Sequence, residues 1–398
     1  MEASTLHAPA AAMNATSPQR YDTDVLIVGA GPTGLTLASA LTARGIATTI
    51  IDRQAAGANT SRAAVIHART LEVLEPLGVS DSLVALGVQA RRFTIRDRDR
   101  VLVPIGFADL PTRYPYTLMV SQAVTEQVLL ERLVALGGRV MRPRKLTSLR
   151  QDDMGVDAQL DDGRTLRARF VVGCDGMHSA VRDSTGIAFE GGSYGESFLL
   201  ADVRLSGGVP TDEVILYFSP RGMVVVAPLP DGVHRIVAPV DDAPERPDAR
   251  FVQELLDERG PVRAPVRVLG EPIWGSRFRV HHRIADRYRA GRVVLAGDAA
   301  HVHSPAGGQG MNMGILDAMH LADALKCAIE GDLAALDVYG AERRPIAGEV
   351  VALADRLTRL ATVPPSLRLL RNLLLRLLSV LPAVRRNLAW RLSGLVYR

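Results

Sequence analysis

The chain has 398 residues, 47% of them apolar, and a net charge of only +4. That is enough apolar material for a large core shared by two or three interleaved domains. The charge is concentrated: residues 355–398 hold nine Arg and one Asp, so they carry +8 and the rest of the chain −4, and their two aromatics, Trp390 and Tyr397, are too few for a base-stacking surface.

Cys174 and Cys327 lie far apart inside apolar elements. They offer neither a disulfide framework nor metal-ligand spacing, so no metal is expected and a reducing, cytoplasmic setting is.

Residues 1–20 are rich in Ala, Ser, Thr and Pro, show no apolar periodicity, and read as a disordered leader. Asp24–Val28 predicts a buried strand, followed at once by Gly29-Ala30-Gly31-Pro32-Thr33-Gly34. A helix over 35–44 stops at Gly45, and a second strand over 47–51 delivers Asp52 at its tip. This is a dinucleotide fingerprint in its required context: Gly29 for the tight turn, Gly31 for close approach of a pyrophosphate, Gly34 for helix–strand packing and Asp52 for a ribose. It does not separate NAD from FAD. The uncharged run 25–43 is long enough to suggest a membrane span, but its glycines and Pro32 make it strand, turn and helix.

Residues 59–78 predict a helix with Val65, Leu71, Leu74 and Leu77 on one face. Arg62 and Arg69 lie near its start, where a cation does not favour the helix. An external anion would explain them; a solvated Arg is the alternative, above all for Arg69. Residues 92–118 alternate as antiparallel strands, and 121–136 form a helix stopped by Gly137-Gly138. Strands follow over 140–149 and 156–160, with a hairpin turn at Asp161-Asp162-Gly163. Phe170–Gly176 is another strand tip carrying an acid, Asp175, which is either a turn residue or a ligand point.

Residues 198–240 are β-rich, with strands over 199–205, 213–219, 223–228 and 235–240; a short helix over 252–258 and a strand over 274–280 follow. This block reads as an antiparallel sheet roofing a pocket. Tyr217, Met223, Trp274 and Phe278 are candidate lining residues, with core packing as the alternative for each, because parity alone does not tell which face meets a ligand.

The densest signal comes late. A strand over 293–295 ends in Gly297-Asp298, then comes a nearly bare loop from Pro305 through Gly308 to Gly310, then a helix over 311–326 opened by Met311 and Asn312. An acid at a strand tip, a backbone loop and a helix N-terminus together form a seat for an anionic or flat ligand. His301 and His303 stand beside it and read as structural. From Ser366 to Leu381 the leucines occupy one broad face, opposite Arg368, Arg371, Asn372, Arg376 and Ser379. The leucine face predicts packing on the body; the alternative is a basic amphipathic surface on an anionic membrane.

Gly29-x-Gly31-x-x-Gly34, Gly173-Cys174-Asp175-Gly176 and Gly297-Asp298-Ala299-Ala300-His301 occur in the order and spacing of the single-component FAD-dependent monooxygenases, which resemble para-hydroxybenzoate hydroxylase in fold. Residues 61–74 look most like the phenol- and polyketide-hydroxylase branch. The resemblance covers about 23–344. It departs at Asp52, where the family more often has Glu, and the thioredoxin-like domain that some members carry is not expected.

The resemblance implies an α/β fold: a glutathione-reductase-type, Rossmann-like FAD domain (21–91, 119–190 and 282–345) interleaved with an antiparallel β-sheet substrate domain (92–118 and 191–281), plus C-terminal helices (346–398). It implies that Gly29, Gly31, Pro32 and Gly34 seat the FAD pyrophosphate, and that Asp52, with Arg53 beside it, takes the adenosine ribose. Arg62 and Gln122 would contact the pyrophosphate and ribityl region, and Leu146 would offer backbone to the adenine. Asp175 would serve FAD and NAD(P)H, while Gly297 and Asp298 would hold the pyrophosphate or ribityl chain. Pro305 would lie at the reactive edge of the flavin, with Gly308, Gly310, Met311 and Asn312 at its pyrimidine end. One fingerprint means that NAD(P)H docks transiently, without a Rossmann domain of its own. The implied reaction is NAD(P)H- and O2-dependent hydroxylation of an aromatic, phenolic or polyketide-like molecule through a flavin C4a-hydroperoxide, with no side chain named as general base. A Baeyer–Villiger, epoxidising or quinone-pathway flavoenzyme is the alternative, and a non-catalytic relative is a third. A monomer or homodimer is expected.

Overall fold

The computed structural model describes residues 21–57, 63–241, 243–304, 307–361 and 363–398; the leader over 1–20, Arg62 and Pro305 lie outside them. The chain opens with β1 (Thr23–Val28), α1 (Pro32–Ala43) and β2 (Thr48–Ile51). Next come β3 (Val65–Ile66), α2 (Ala68–Leu74), α3 (Ser80–Leu86), β4 (Val88–Ala90), β5 (Arg92–Asp97), β6 (Arg100–Gly106) and β7 (Thr117–Met119). α4 (Gln122–Ala135) leads to β8 (Val140–Met141), β9 (Leu146–Gln151), β10 (Val156–Leu160) and β11 (Thr165–Gly173). After α5 (Ala180–Ser184) follow β12 (Phe189–Ser206), β13 (Glu213–Ser219), β14 (Gly222–Pro228), β15 (Val233–Val240), α6 (Ala249–Arg259) and β16 (Arg267–Ala285). β17 (Arg289–Ala290), β18 (Val293–Leu295) and β19 (His301–Val302) bring the chain to α7 (Gly310–Ile329), α8 (Ala334–Ala361), α9 (Arg368–Val380) and α10 (Pro382–Leu392).

The first sheet runs β17-β18-β11-β1-β2-β8, with the β9–β10 hairpin added beside β11. Its strands from β18 to β8 are parallel. Both faces of such a sheet are covered, which is why β1 from Val25 to Val28 and β11 from Phe170 to Val172 are unbroken buried apolar runs. In register, Val28 lies beside Ile51 and Gly173, and Gly173 beside Leu295. All four C-terminal strand ends therefore meet at one edge, and they bring Gly29, Asp52, Asp175 and Gly297-Asp298 together. Ligands bind at that edge in open parallel sheets.

The second sheet runs β19-β16-β12-β15-β14-β13-β5-β6. Leu199, Ala201, Ile215, Tyr217, Val224 and Ile236 bury one face against Val252, Leu255 and Leu256 of α6. On the other face, Val214 and Ala227 pack on Ala64 and Met119, which belong to or flank a small third sheet, β3-β7-β4. The fold is the expected α/β class: a Rossmann-like sheet, a second sheet that is antiparallel except where β5 and β13 pair in parallel, and C-terminal helices.

Three local expectations change. The helix predicted over 59–78 begins only at Ala68, because Val65 and Ile66 pair with Met119 and Leu118 as a strand. β12 and β16 are far longer than the segments 199–205 and 274–280. They pair antiparallel from Phe189–Ala285 to Ser206–Arg267, and Gly191 sits where a Cβ would lie 2.0 Å from the His282 carbonyl oxygen. Finally, α9 packs the other way round. Arg371 is buried with its guanidinium 4.0 Å from the Phe218 ring, Asn372 donates to Asp97 at 2.8 Å, and Ser379 donates to the Leu102 carbonyl at 2.9 Å. β6 is an edge strand, and the polar stripe of α9 supplies a donor that the edge carbonyl needs. The leucines face outward.

Candidate cofactor and active site

At the strand-tip edge, Gly29 has φ +104°, and a Cβ there would lie 2.3 Å from the Cys174 carbonyl oxygen. A Cβ on Gly34 would lie 1.9 Å from the Gly29 carbonyl oxygen, so α1 sits against the loop with no room for a side chain. Gly31 differs: nothing lies within 4 Å of its Cβ position. Two glycines serve packing, and the one between them opens onto free space. The α1 ladder begins with the Leu35 N–H on the Gly31 carbonyl, which leaves earlier amides directed at that space. Asp52 Oδ2 accepts from the Ala30 N–H at 2.7 Å and Oδ1 from the Gln54 N–H at 2.8 Å, so each oxygen keeps a lone pair for a ribose hydroxyl. Arg53 is exposed beside it.

Gln122 stands behind the loop, its Nε2 donating to Glu126 and its Oε1 accepting from the Ala63 N–H. Arg142 donates to the Ala30 carbonyl at 3.2 Å, and the Arg144 N–H to the Asp52 carbonyl at 2.7 Å. Leu146 is buried two residues further on, opposite Leu160. Arg142 went unnoticed in the sequence because it lies in a turn with no motif around it. Arg69 pairs with Glu72 at 3.2 Å with its side chain only 23% exposed, so it is an internal ion-pair partner rather than a solvated Arg. Asp175 accepts from the Val181 N–H at 3.3 Å, and burial raises its carboxyl above the usual range.

α7 presents the second helix N-terminus. Its Met313 N–H bonds Gln309, so the amides of Gly310, Met311 and Asn312 precede the helical ladder. The two helix starts meet at Thr33, whose Oγ1 leaves no room for a Cβ at Gly297 or Gly314. Asp298 stands exposed at the turn. The Asn312 side chain has a role the sequence did not suggest. It accepts from the His67 N–H and donates to the Val65 and Gly308 carbonyls, tying the glycine loop to β3.

A buried charge cluster supports this turn from behind. Asp317 accepts from His301 Nε2 at 2.7 Å, from Arg343 Nε at 2.8 Å and from the Gly297 N–H at 3.3 Å. Burial opposes the charge on Asp317, but Arg343 and His301 outweigh it and hold the carboxyl far below the usual range.

A family model described as an FAD binding domain matches residues 22–354. The chain belongs to this family of FAD-dependent monooxygenases. It is 37% identical to a rifampicin monooxygenase of Streptomyces venezuelae, over 89% of this chain and 75% of the relative. It is 40% identical to the 6-methylpretetramide 4-monooxygenase of Streptomyces rimosus, over 88% of this chain and 64% of that one. The chain thus spans between about two thirds and three quarters of the length of these relatives. The crystal structure of p-nitrophenol 4-monooxygenase from Pseudomonas putida superposes with a TM-score of 0.83 at 26% identity, covering 94% of this chain and 98% of that one.

The flavin-enzyme cradle faces part of the second sheet. Asp202 and Arg235 form a buried bidentate pair at 2.7 and 2.7 Å, and Arg235 also donates to the Ala63 carbonyl at 3.1 Å. Trp274 lies opposite Asp202 with its ring 5.3 Å from the Arg235 guanidinium, and Phe278 packs on Phe198 at 6.0 Å. Trp274 and Phe278 thus share the sheet face that carries the Asp202–Arg235 pair, opposite the face covered by α6. Tyr217 does not: it points into the core under α6. Met223 packs with Phe218 beneath the C-terminal helices. Strand parity puts Tyr217 and Phe218 on opposite faces, but it does not announce that α6 covers one and the C-terminal helices the other.

Two histidines touch the glycine loop, and both are held neutral. His67 Nε2 donates to the Gly307 carbonyl at 3.0 Å, and its Nδ1 is buried with no partner among the described residues. His303 Nδ1 donates to the Ser304 carbonyl, and its Nε2 is similarly placed. Burial lowers each ring to about 4. Between pH 6.5 and 4 the unfolded chain takes up protons that the native rings refuse, so stability falls as pH drops through that window, by about 3 kcal/mol for His67. The urea midpoint should decline from pH 7 to 4.5, and His67→Gln should flatten that slope. An unchanged slope in the variant would assign the decline to other groups.

Proposed function

We propose that this chain is an NAD(P)H- and O2-dependent flavin hydroxylase acting on an aromatic, phenolic or polyketide-like small molecule. The observation that carries the reading is the cradle opening at Gly31 and α7, set beside a sheet face bearing Phe198, Phe278, Trp274 and the Asp202–Arg235 pair. Bound FAD supplies the redox chemistry, taking a hydride from NAD(P)H and activating O2. The chain holds and orients the reactants. Gly31 and Asp298 would hold the pyrophosphate and ribityl chain, with Gly29 and Gly34 shaping the turn, and Asp52 would hold the ribose. The N-terminal amides of α7 would stabilise negative charge on the reduced ring. The aromatic face would bind a flat substrate and exclude water from the reacting edge.

NAD(P)H would dock in the cleft lined by Met177, His178, Arg182, Phe189, His281 and Arg283, whose cations suit a pyrophosphate. Cys174 and Cys327 are both free, which fits a reducing cytoplasm; Cys327 is exposed rather than buried. The acid-free C-terminal flank fits a peripheral membrane contact.

The test is NAD(P)H oxidation by the purified yellow protein across phenols, quinones and polycyclic aromatics, with peroxide and product quantified together. One class that accelerates oxidation while peroxide stays low, and that gains one oxygen on a ring carbon, supports the reading. Oxygen inserted beside a carbonyl, or an epoxide product, replaces hydroxylation with the alternative chemistry. FAD that binds but is not reduced by NAD(P)H overturns the reading.

A further inference from the structure

We infer that α9 docks this protein on an anionic membrane surface, its leucine ridge entering the lipid interface and nearby arginines meeting the headgroup phosphates. The inference rests on the peripheral contact proposed above and adds the lipid class and the residues. Leu369, Leu370, Leu373, Leu374, Leu377 and Val380 are between 53 and 84% exposed along one side of the helix. Scattered surface leucines are ordinary, but a continuous ridge of this size marks an interaction surface. The helix cannot roll these side chains inward, because its opposite side is held by Arg371 over Phe218, Asn372 on Asp97 and Ser379 on the Leu102 carbonyl.

Charge selects the partner. Residues 356–398 contain nine Arg and no Asp or Glu. Arg376 on α9 and Arg386 on the following helix, α10, are exposed. A second copy packed ridge to ridge would bring arginines together with no acid from the segment to offset them. A fluid anionic surface instead offers phosphates at the rim and acyl chains beneath, and a convex row of leucines needs no preformed groove there. Among the described residues no helix is long and apolar enough to cross a membrane, so the contact lies in the plane of the interface.

The experiment is flotation of the full-length, FAD-loaded protein with vesicles of phosphatidylcholine, alone or mixed with phosphatidylglycerol, alongside size-exclusion chromatography with light scattering. Binding should be about tenfold stronger on the anionic vesicles and should weaken with salt. Leu373→Glu/Leu377→Glu should abolish it with flavin content and melting temperature retained, since both positions are solvent-facing. Arg376→Glu/Arg386→Glu should remove the preference for anionic lipid. Absence of binding to anionic vesicles overturns the inference. So does a stable dimer that Leu373→Glu/Leu377→Glu converts to monomer, which would give the ridge to a second copy. Vesicle binding is read without substrate, so its failure leaves the hydroxylase reading standing, and failure of turnover leaves the docking result intact.

Discussion

Replacing Asp317 with alanine is expected to destabilise the protein by about 3–5 kcal/mol, read as a drop in the urea midpoint. The carboxylate is fully buried and holds Arg343, His301 and the Gly297 amide at once. Its removal strands a guanidinium that is 1% exposed, away from water and without a counter-charge. The cost belongs to the orphaned cation rather than to the pair itself, so it is reversible by a second change. Asp317→Leu/Arg343→Met removes both charges and should recover much of the loss. If the double variant is as unstable as the single one, the cluster is not acting through charge. The single variant should also weaken FAD retention, because the Gly297 amide loses its acceptor directly beneath Asp298.

Gly31→Val is expected to leave the fold intact and to weaken FAD binding by about 100-fold, roughly 3 kcal/mol. The position has no neighbour within 4 Å of where a Cβ would stand, so an added side chain meets only the space the pyrophosphate is proposed to fill. Gly34→Ala is the contrasting case. Its Cβ would collide with the Gly29 carbonyl, so it should lower the melting temperature even without cofactor. Purification of a colourless but normally melting Gly31→Val protein supports the assignment. A yellow Gly31→Val protein with ordinary affinity would place the cofactor elsewhere.

The cradle was legible in the sequence because each of its parts is a local pattern: an apolar strand, a short glycine turn or acid, and a helix start. Gly29 to Gly34, Asp52, Asp175 and Gly297-Asp298 could be read one at a time, and the parallel register only had to align them. The pairs that support the cradle carry no such pattern. Asp202 and Arg235 are on separate strands 33 residues apart, and Asp317 and Arg343 are on two helices 26 residues apart. In sequence each resembles a surface charge on an amphipathic element. That Asp317 is buried follows from α7 packing against α1 and α8, which no periodicity within α7 announces.

By itself the sequence determined the fold class, the dinucleotide seat and its order along the chain, because strand burial, glycine conformation and helix starts depend on residues near one another. Only the tertiary structure decided the sides. Tyr217 and Phe218 alternate by parity, yet neither faces the cradle, because α6 covers the first and the C-terminal helices cover the second. The leucines of α9 form one stripe by periodicity, yet the edge of β6 and the Phe218 ring claimed its polar side and turned the stripe outward. A two-sided element has two ways to pack, and the choice between them is made by the surface it meets.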